Sequence, residues 1–214
     1  MVDVKIVIEG GVLPHANVDV LTVSNSEKLR ESFYKLFTQI VDPSTFNLII
    51  EMGAGEKNAC KIFKQSAEKK NCCLLIDLDD NAETRAERLA NFDLENYSDV
   101  VFFMIQKMEA WILSQPESIL KAMENYYINE SRGSLIEDEI FSKEPENIVH
   151  PDDKLNTILS RYFYKIKRKI KKKKKYGKLK DAPSFIQYLD GHQLKNSFQD
   201  VKNLFEYLQE SYKQ

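Results

Sequence analysis

Residues 72–81 read CCLLIDLDDN. A continuous apolar run, Cys72 to Ile76, stops abruptly at Asp77, Asp79 and Asp80. An unbroken apolar run is the pattern of a strand covered on both faces, whereas a strand with one wet face alternates. Burying ionised carboxylates is costly unless a cation or hydrogen-bond donors compensate. The end of this strand therefore needs an explanation. Three further runs have the same near-continuous character: VKIVIE (4–9), FNLIIE (46–51) and VVFFMIQ (100–106). Helical patterns separate the first three strands. Asn25-Ser26 can cap a helix whose apolar face is Leu29, Phe33, Leu36, Phe37 and Ile40, and a second helix after Gly53-Ala54-Gly55 buries Ala59, Ile62 and Phe63. The alternation predicts an α/β, Rossmann-like fold with a mostly parallel four-stranded sheet flanked by helices.

Beyond residue 110 the strand signal fades, which divides the chain into an α/β domain, 1–115, and a C-terminal helical subdomain, 116–214. Pro116 sits at the first position of a helix expected over 116–127. Residues 128–150 are polar and lack periodicity, as a loop or poorly ordered chain would. After Pro151 an amphipathic helix carries the stripe Leu155, Ile158, Leu159, Tyr162, Phe163 and Ile166, and the last helix turns Phe198, Val201, Phe205 and Leu208 inward. No internal repeat is visible. With 43% hydrophobic and 30% charged residues, no stretch of membrane-span length and no basic segment ahead of an apolar one, the composition is that of a soluble cytoplasmic protein. Cys60, Cys72 and Cys73 have no metal-ligand spacing and are expected as buried thiols.

Three of the four strands end in an acid and the fourth is followed by one: Glu9, Glu51, Asp77 and Glu109. Ligands of open parallel sheets bind beyond the carboxyl ends of the strands, so Glu9, Asp77 and Asp79 can converge although distant in sequence. In extended chain Asp77 and Asp79 face the same side. Convergent hard oxygen ligands call for Mg²⁺ or Mn²⁺. The alternative is that these acids are solvated or cap the next helix, a role for which Asp80 or Asn81 before AETRAERLA is well placed.

Glu-Gly after the first strand and Asp-x-Asp after the third resemble the TOPRIM fold of topoisomerases, primases and overcoming-lysogenization-defect nucleases, in which a Glu and an Asp-x-Asp pair hold the catalytic divalent ion. FFMIQKMEAWIL (102–113) and YGKLKDAPSFIQYLDGHQLKNSFQDVKNLFEYL (176–208) narrow the resemblance to a family of small stand-alone TOPRIM-like bacterial proteins catalogued as a domain of unknown function. Its members often sit beside ATPase genes and in defence neighbourhoods. By that resemblance Glu9, Asp77 and Asp79 are metal ligands, Glu109 is the Glu of the Met-Glu-x-Trp motif, and Tyr176 and Lys178 form its Tyr-x-Lys. Gly53 and Asn58 resemble the glycine turn and the Asn opening the second helix. Relatives usually have Leu-Ala-Asp where this chain reads Leu113-Ser114-Gln115, and residues 12–24 look like an insertion. Met108, Trp111 and Leu113 read as core. For Glu109, metal ligand, general base and salt-bridge partner all stand open, because an acid in such a segment needs a partner.

Net charge is −2, yet residues 1–150 carry 15 Lys/Arg against 26 Asp/Glu and residues 151–214 carry 16 against 7. Eleven of the sixteen residues 165–180 are Lys or Arg. Such density attracts phosphate backbones through counterion release; the bland alternative is a solvated charge run. Lys171, Lys172, Lys173, Lys174, Lys175, Tyr176 and Lys178 are the nucleic-acid-binding expectation, with Tyr162, Phe163, Tyr164 and Tyr176 as flanking aromatics that can stack on unpaired bases. His15, His150 and His192 do not cluster, and GAGEKN (53–58) lacks the Gly-Lys-Ser/Thr ending of a phosphate-binding loop.

The leading expectation is a metal-dependent nuclease or other phosphoryl-transfer enzyme acting on nucleic acid. Mg²⁺ or Mn²⁺ would sit on Asp77 and Asp79, Glu9 would serve as ligand or general base, and Glu109 and Lys178 would be catalytic. The family resemblance implies the effector of a defence or toxin system with an ATPase partner; a second copy of the chain is a further expected partner, and a membrane is not. The alternative is a non-catalytic TOPRIM-like module that binds an ATPase or a nucleic acid. A small-molecule phosphohydrolase is the third possibility.

Overall fold

The computed structural model describes residues 2–12, 19–42, 44, 46–66, 71–124, 128–129 and 135–211. Residues 13–18 of the expected insertion, His15 among them, and residues 130–134 of the polar stretch lie outside the described residues. Four strands, β1 (Val2–Ile8), β2 (Phe46–Met52), β3 (Cys72–Asp77) and β4 (Val101–Met104), form an all-parallel sheet in the order β2-β1-β3-β4. Helices flank it on both faces, a Rossmann-like arrangement.

The two-residue period of a strand divides its side chains between two cores. Ile6, Ile8, Cys73, Leu75, Phe102 and Met104 join one; Val7, Cys72, Leu74, Ile76, Val101 and Phe103 join the other. At β3 and β4 both faces are dry, which is why those runs are continuous; the edge strand β2, among its described side chains, buries only Leu48 and Ile50, with Asn47 exposed and Ile49 half-buried. Helices α2 (Glu56–Ser66) and α3 (Arg85–Asn91) cover the second core, with Ala59, Phe63 and Leu89 inward. On the other face lie α1 (Val20–Phe37), α4 (Met108–Leu113), α5 (Pro116–Met123), α6 (Pro151–Tyr162), α7 (Lys178–Ile186), α8 (Gly191–Ser197) and α9 (Gln199–Ser211). One contiguous cluster runs there from Val4 to Leu208, so the core crosses the boundary expected at 115/116. Trp111 is fully buried in it, 6.2 Å from the Phe198 ring.

Several local expectations are corrected. Helix α1 starts at Val20, where the Asp19 carboxylate accepts from Thr22 N at 3.0 Å; Ser26, expected as a cap, is buried inside the helix and accepts from Val12 N at 3.1 Å. The residue 128–150 stretch contributes Leu135, Ile140 and Ile148 to the core, the last two beside short 3₁₀ turns at Glu139–Ser142 and Pro145–Asn147. Most consequentially, the helix after Pro151 stops at Tyr162. The lysine-rich segment folds as a hairpin of β6 (Phe163–Lys167) and β7 (Ile170–Lys173), with β5 (Ile128–Asn129) paired to the base of β6. Ile166, read as part of a helical stripe, is exposed.

Candidate active site

The chain crosses from β1 to β2 on one side of the sheet and then from β2 to β3 on the other. In an open parallel sheet this reversal leaves a crevice at the carboxyl ends of the two diverging strands. Glu9 directly follows β1 and Asp77 closes β3, so the sequence places one acid on each lip. Glu9 N donates to Leu75 O at 2.9 Å, and Asp77 N donates to Glu9 Oε2 at 3.0 Å. Asp77 is buried; its Oδ1 accepts from Met108 N at 2.8 Å and its Oδ2 from Lys178 Nζ at 2.7 Å. Lys178 opens α7 and reaches a second acid, Glu109 Oε2, at 3.7 Å. Glu109 has 0% exposure; Tyr176 OH donates to its Oε1 at 2.8 Å, while Oε2 has no hydrogen-bond partner among the described residues.

These groups perturb one another. Burial and the neighbouring Asp77 charge push the Glu9 carboxyl up from an ordinary 4.5 to about 7. Burial also raises the Glu109 carboxyl, with Lys178 opposing it. Burial pulls the Lys178 ammonium down, but the charges of Asp77, Glu109 and Glu9 outweigh this and hold it above the usual lysine range. Burial and Glu109 raise the Tyr176 phenol well above its normal value, so it stays a donor. Lys178 is thus a fixed cation among three acids, with 48% of its side chain still open to solvent.

Glu9, Asp77 and Lys178 line a cleft of about 350 Å³ whose apolar wall includes Leu29, Met104 and Met108. Backbone closes much of the rest. At Gly11 φ is +73°, and a Cβ there would meet Ser26 Oγ at 2.5 Å, so only glycine lets this turn run along the cleft.

Asp79 lies apart from the cleft. The same-side expectation required extended backbone through residue 79, but β3 ends at Asp77 and Asp79 has φ 60°. Its carboxylate meets Arg88 at 3.0 Å and Lys107 at 3.9 Å. Among the described residues no group of three or more His, Cys, Asp or Glu side chains is arranged around a metal position. Glu9 and Asp77 put two carboxylates on the cleft, a number a Mg²⁺ shell completed by water and phosphate oxygens can take from a protein, with both Asp77 oxygens accepting from Met108 N and Lys178 Nζ. Lys171, Lys172 and Lys173 stand exposed on the hairpin and Lys175 is exposed beyond it. Lys174 instead is 4% exposed, with Nζ 2.5 Å from Asp181 Oδ2.

Sequence reasoning passed over Glu56, which pairs with Arg88, over Arg88 and Lys107, which hold Asp79, and over Asp181, which accepts from Gly177 N at 2.7 Å as well as from Lys174. Glu56 at the start of α2, directly after Gly53-Ala54-Gly55, was the available signal for the first.

A profile of the family described as "Domain of unknown function (DUF4276)" matches residues 24–209. The chain belongs to the DUF4276 family. The span shared with DUF4276 includes Asp77, Asp79, Glu109, Tyr176 and Lys178 and starts beyond Glu9. Searches of curated proteins and of solved structures found no match.

Proposed function

We propose that this DUF4276 protein is a divalent-metal-dependent nuclease, or a related phosphoryl-transfer enzyme acting on nucleic acid, of TOPRIM type. The observation that carries the proposal is the meeting of Glu9 and Asp77 at the sheet's switch point, with the Glu9 carboxyl raised to about 7 beside the Asp77 charge. Two such acids repel, and a shared cation relieves them. Glu9 and Asp77 would hold Mg²⁺ or Mn²⁺, which when bound supplies an acidified water and neutralises phosphate charge. Lys178, half-exposed over the same cleft, binds a phosphate oxygen of the substrate. Glu109 is closed to solvent and acts through Lys178 and Tyr176, as a positioning residue. Asp79 joins the acids only by leaving Arg88 and Lys107. The Glu-Gly and Asp-x-Asp resemblance supports the TOPRIM assignment, and with it an effector role beside an ATPase partner in a defence or toxin system.

A non-catalytic binding module is favoured by one observation, that Lys178 already neutralises Asp77 at 2.7 Å. The two separate on a panel of tRNA, single-stranded DNA and duplex DNA incubated with Mg²⁺ or Mn²⁺ and with EDTA. Nuclease action predicts cleavage that EDTA and Asp77→Asn both abolish, in a variant that still melts cooperatively. Metal at about 100-fold its Kd should also stabilise the parent by roughly 2.7 kcal/mol. Metal binding without cleavage of any substrate would leave only the binding module.

A further inference from the structure

In the hairpin, Tyr164 pairs with Lys173, Lys165 with Lys172, Ile166 with Lys171 and Lys167 with Ile170. Arg168 and Lys169 make the two-residue turn, with φ 51° and 63°. Every residue from Lys165 to Lys173 is exposed, on both faces, so the hairpin projects from the body. Its base is fixed: Lys174 N donates to Phe163 O at 2.9 Å, Ser160 Oγ to Lys174 O at 2.9 Å, and Lys174 Nζ is held by Asp181. Directly opposed residues share a face. One face therefore combines Ile166 with Lys171 and Lys173, the other Ile170 with Lys165, Lys167 and Lys172. The isoleucines are 64% and 60% exposed. Lysines alone fit any polyanion; a large apolar side chain on each face calls for a partner with apolar contacts between its phosphates.

Of the aromatics that could stack on unpaired bases, Tyr162, Phe163 and Tyr176 are committed elsewhere. Tyr162 OH donates to Asp138 at 2.8 Å, Phe163 is buried, the Tyr164 ring carries the Lys171 ammonium at 4.0 Å, and Tyr176 is bound to Glu109. That leaves Tyr164, half-exposed, as the single ring this arm can offer to a base, short of the row of aromatics on which successive bases stack. A two-stranded ribbon, with strands about 5 Å apart and roughly 10 Å across with side chains, fits the B-DNA major groove of about 12 Å. The A-form major groove of duplex RNA is too narrow for it. We infer that the 163–173 hairpin is an arm that enters the major groove of duplex DNA, its lysines on the phosphates and the isoleucine of the face turned to the base edges, Ile166 or Ile170, against thymine methyls. A turn of Arg168 and Lys169 leads the arm, which opposes insertion into a bilayer. Ten positions separate Arg168 from Lys178, at most about 35 Å of extended chain. Groove contact and cleft therefore fall within about one turn of DNA. This extends the nuclease proposal by naming its substrate, while the arm's binding is testable without turnover.

The test is fluorescence anisotropy of the full chain with a labelled DNA duplex, its single strand, the matching duplex RNA, and anionic lipid vesicles. Duplex DNA should bind at least about tenfold tighter than the other two nucleic acids, a separation of about 1.4 kcal/mol. Ile166→Ala with Ile170→Ala should weaken duplex binding and leave its salt slope unchanged. Replacing Lys167, Lys171 and Lys172 with Gln should reduce the slope, by up to about 0.9 per lost contact. Both variants should melt as the parent does and still bind Mn²⁺ by calorimetry. Duplex binding is read in EDTA and cleavage separately with Mg²⁺ or Mn²⁺, so a failed cleft and a failed arm are distinguishable. Equal affinity for single strands or duplex RNA, tighter binding to vesicles, or parent-like duplex binding by both hairpin variants would overturn the inference.

Discussion

Glu9 is half-buried, accepts a backbone hydrogen bond from Asp77, and has its carboxyl raised from 4.5 to about 7 by burial and the Asp77 charge. The consequence for stability has a definite sign. Between these two values the folded chain holds a proton that the unfolded chain has released, so stability falls as pH rises. The favourable contribution is complete below about 4.5 and gone above about 7. The full shift corresponds to at most about 3 kcal/mol, reduced by the water that reaches a half-buried group. Glu9→Gln removes the titration. In metal-free protein its advantage over the parent should be greater at pH 8 than at pH 5, measured by urea midpoints at both. A difference of equal size at the two pH values would mean that neither burial nor Asp77 raises the Glu9 carboxyl. Glu9, Asp77 and Glu109 stood out in the sequence as acids at or just past the ends of apolar runs, and Lys178 through the Tyr-x-Lys resemblance. The sequence did not reveal that Lys178 bridges Asp77 and Glu109, because a contact across 101 positions depends on where α7 packs.

At the scale of elements, the strands were legible because their apolar runs line the core, on both faces at β3 and β4, and the hairpin was not. Lysine has poor strand propensity, and Phe163 and Ile166 happen to continue the three- and four-residue spacing of the helix before them. The turn lacks the Asn-Gly or Asp-Gly pair that signals a two-residue hairpin loop. Arg168 and Lys169 instead occupy left-handed backbone, at about 1–2 kcal/mol for each non-glycine residue. Asn-Gly at these two positions should therefore raise stability by about 1 kcal/mol. It removes two cations from the leading end of the arm, so DNA affinity should fall as the melting temperature rises. Thermal melts and anisotropy on the same preparation check both halves. An Asn-Gly variant no more stable than the parent would show that the arm contributes nothing to the cooperative unit.

At the scale of the molecule, the fading strand signal divided the chain near residue 115 and charge divided it near 150, whereas packing joins it. The charge division is real, but it describes surfaces; the core beneath is shared. Leu29, Phe33, Leu36 and Phe37 of α1 are buried in the cluster that includes Ala182, Phe185, Leu204 and Phe205. The Phe37 and Phe205 rings lie 6.1 Å apart. Polar ties cross the same seam: Ser32 Oγ donates to Pro183 O at 2.9 Å, Gln39 Nε2 to Leu189 O at 2.9 Å, and Gly191 N to Gln39 Oε1 at 2.8 Å. At the sheet edge, Asp200 of α9 accepts from Phe103 N of β4 at 2.7 Å and pairs with Arg85. Lys178 enters the cleft from the same C-terminal half. A fragment of residues 1–115 would expose one whole face of α1 and the sheet, and each large apolar side chain returned to water costs about 1.5–3 kcal/mol. Three or four of them already match the 5–15 kcal/mol by which a domain is stable. The fragment should therefore show no cooperative melt by circular dichroism, whereas the full chain melts in one transition. Two resolved transitions in the full chain, or a fragment that melts cooperatively, would show that the helices after residue 115 form a separate unit docked on a self-sufficient sheet.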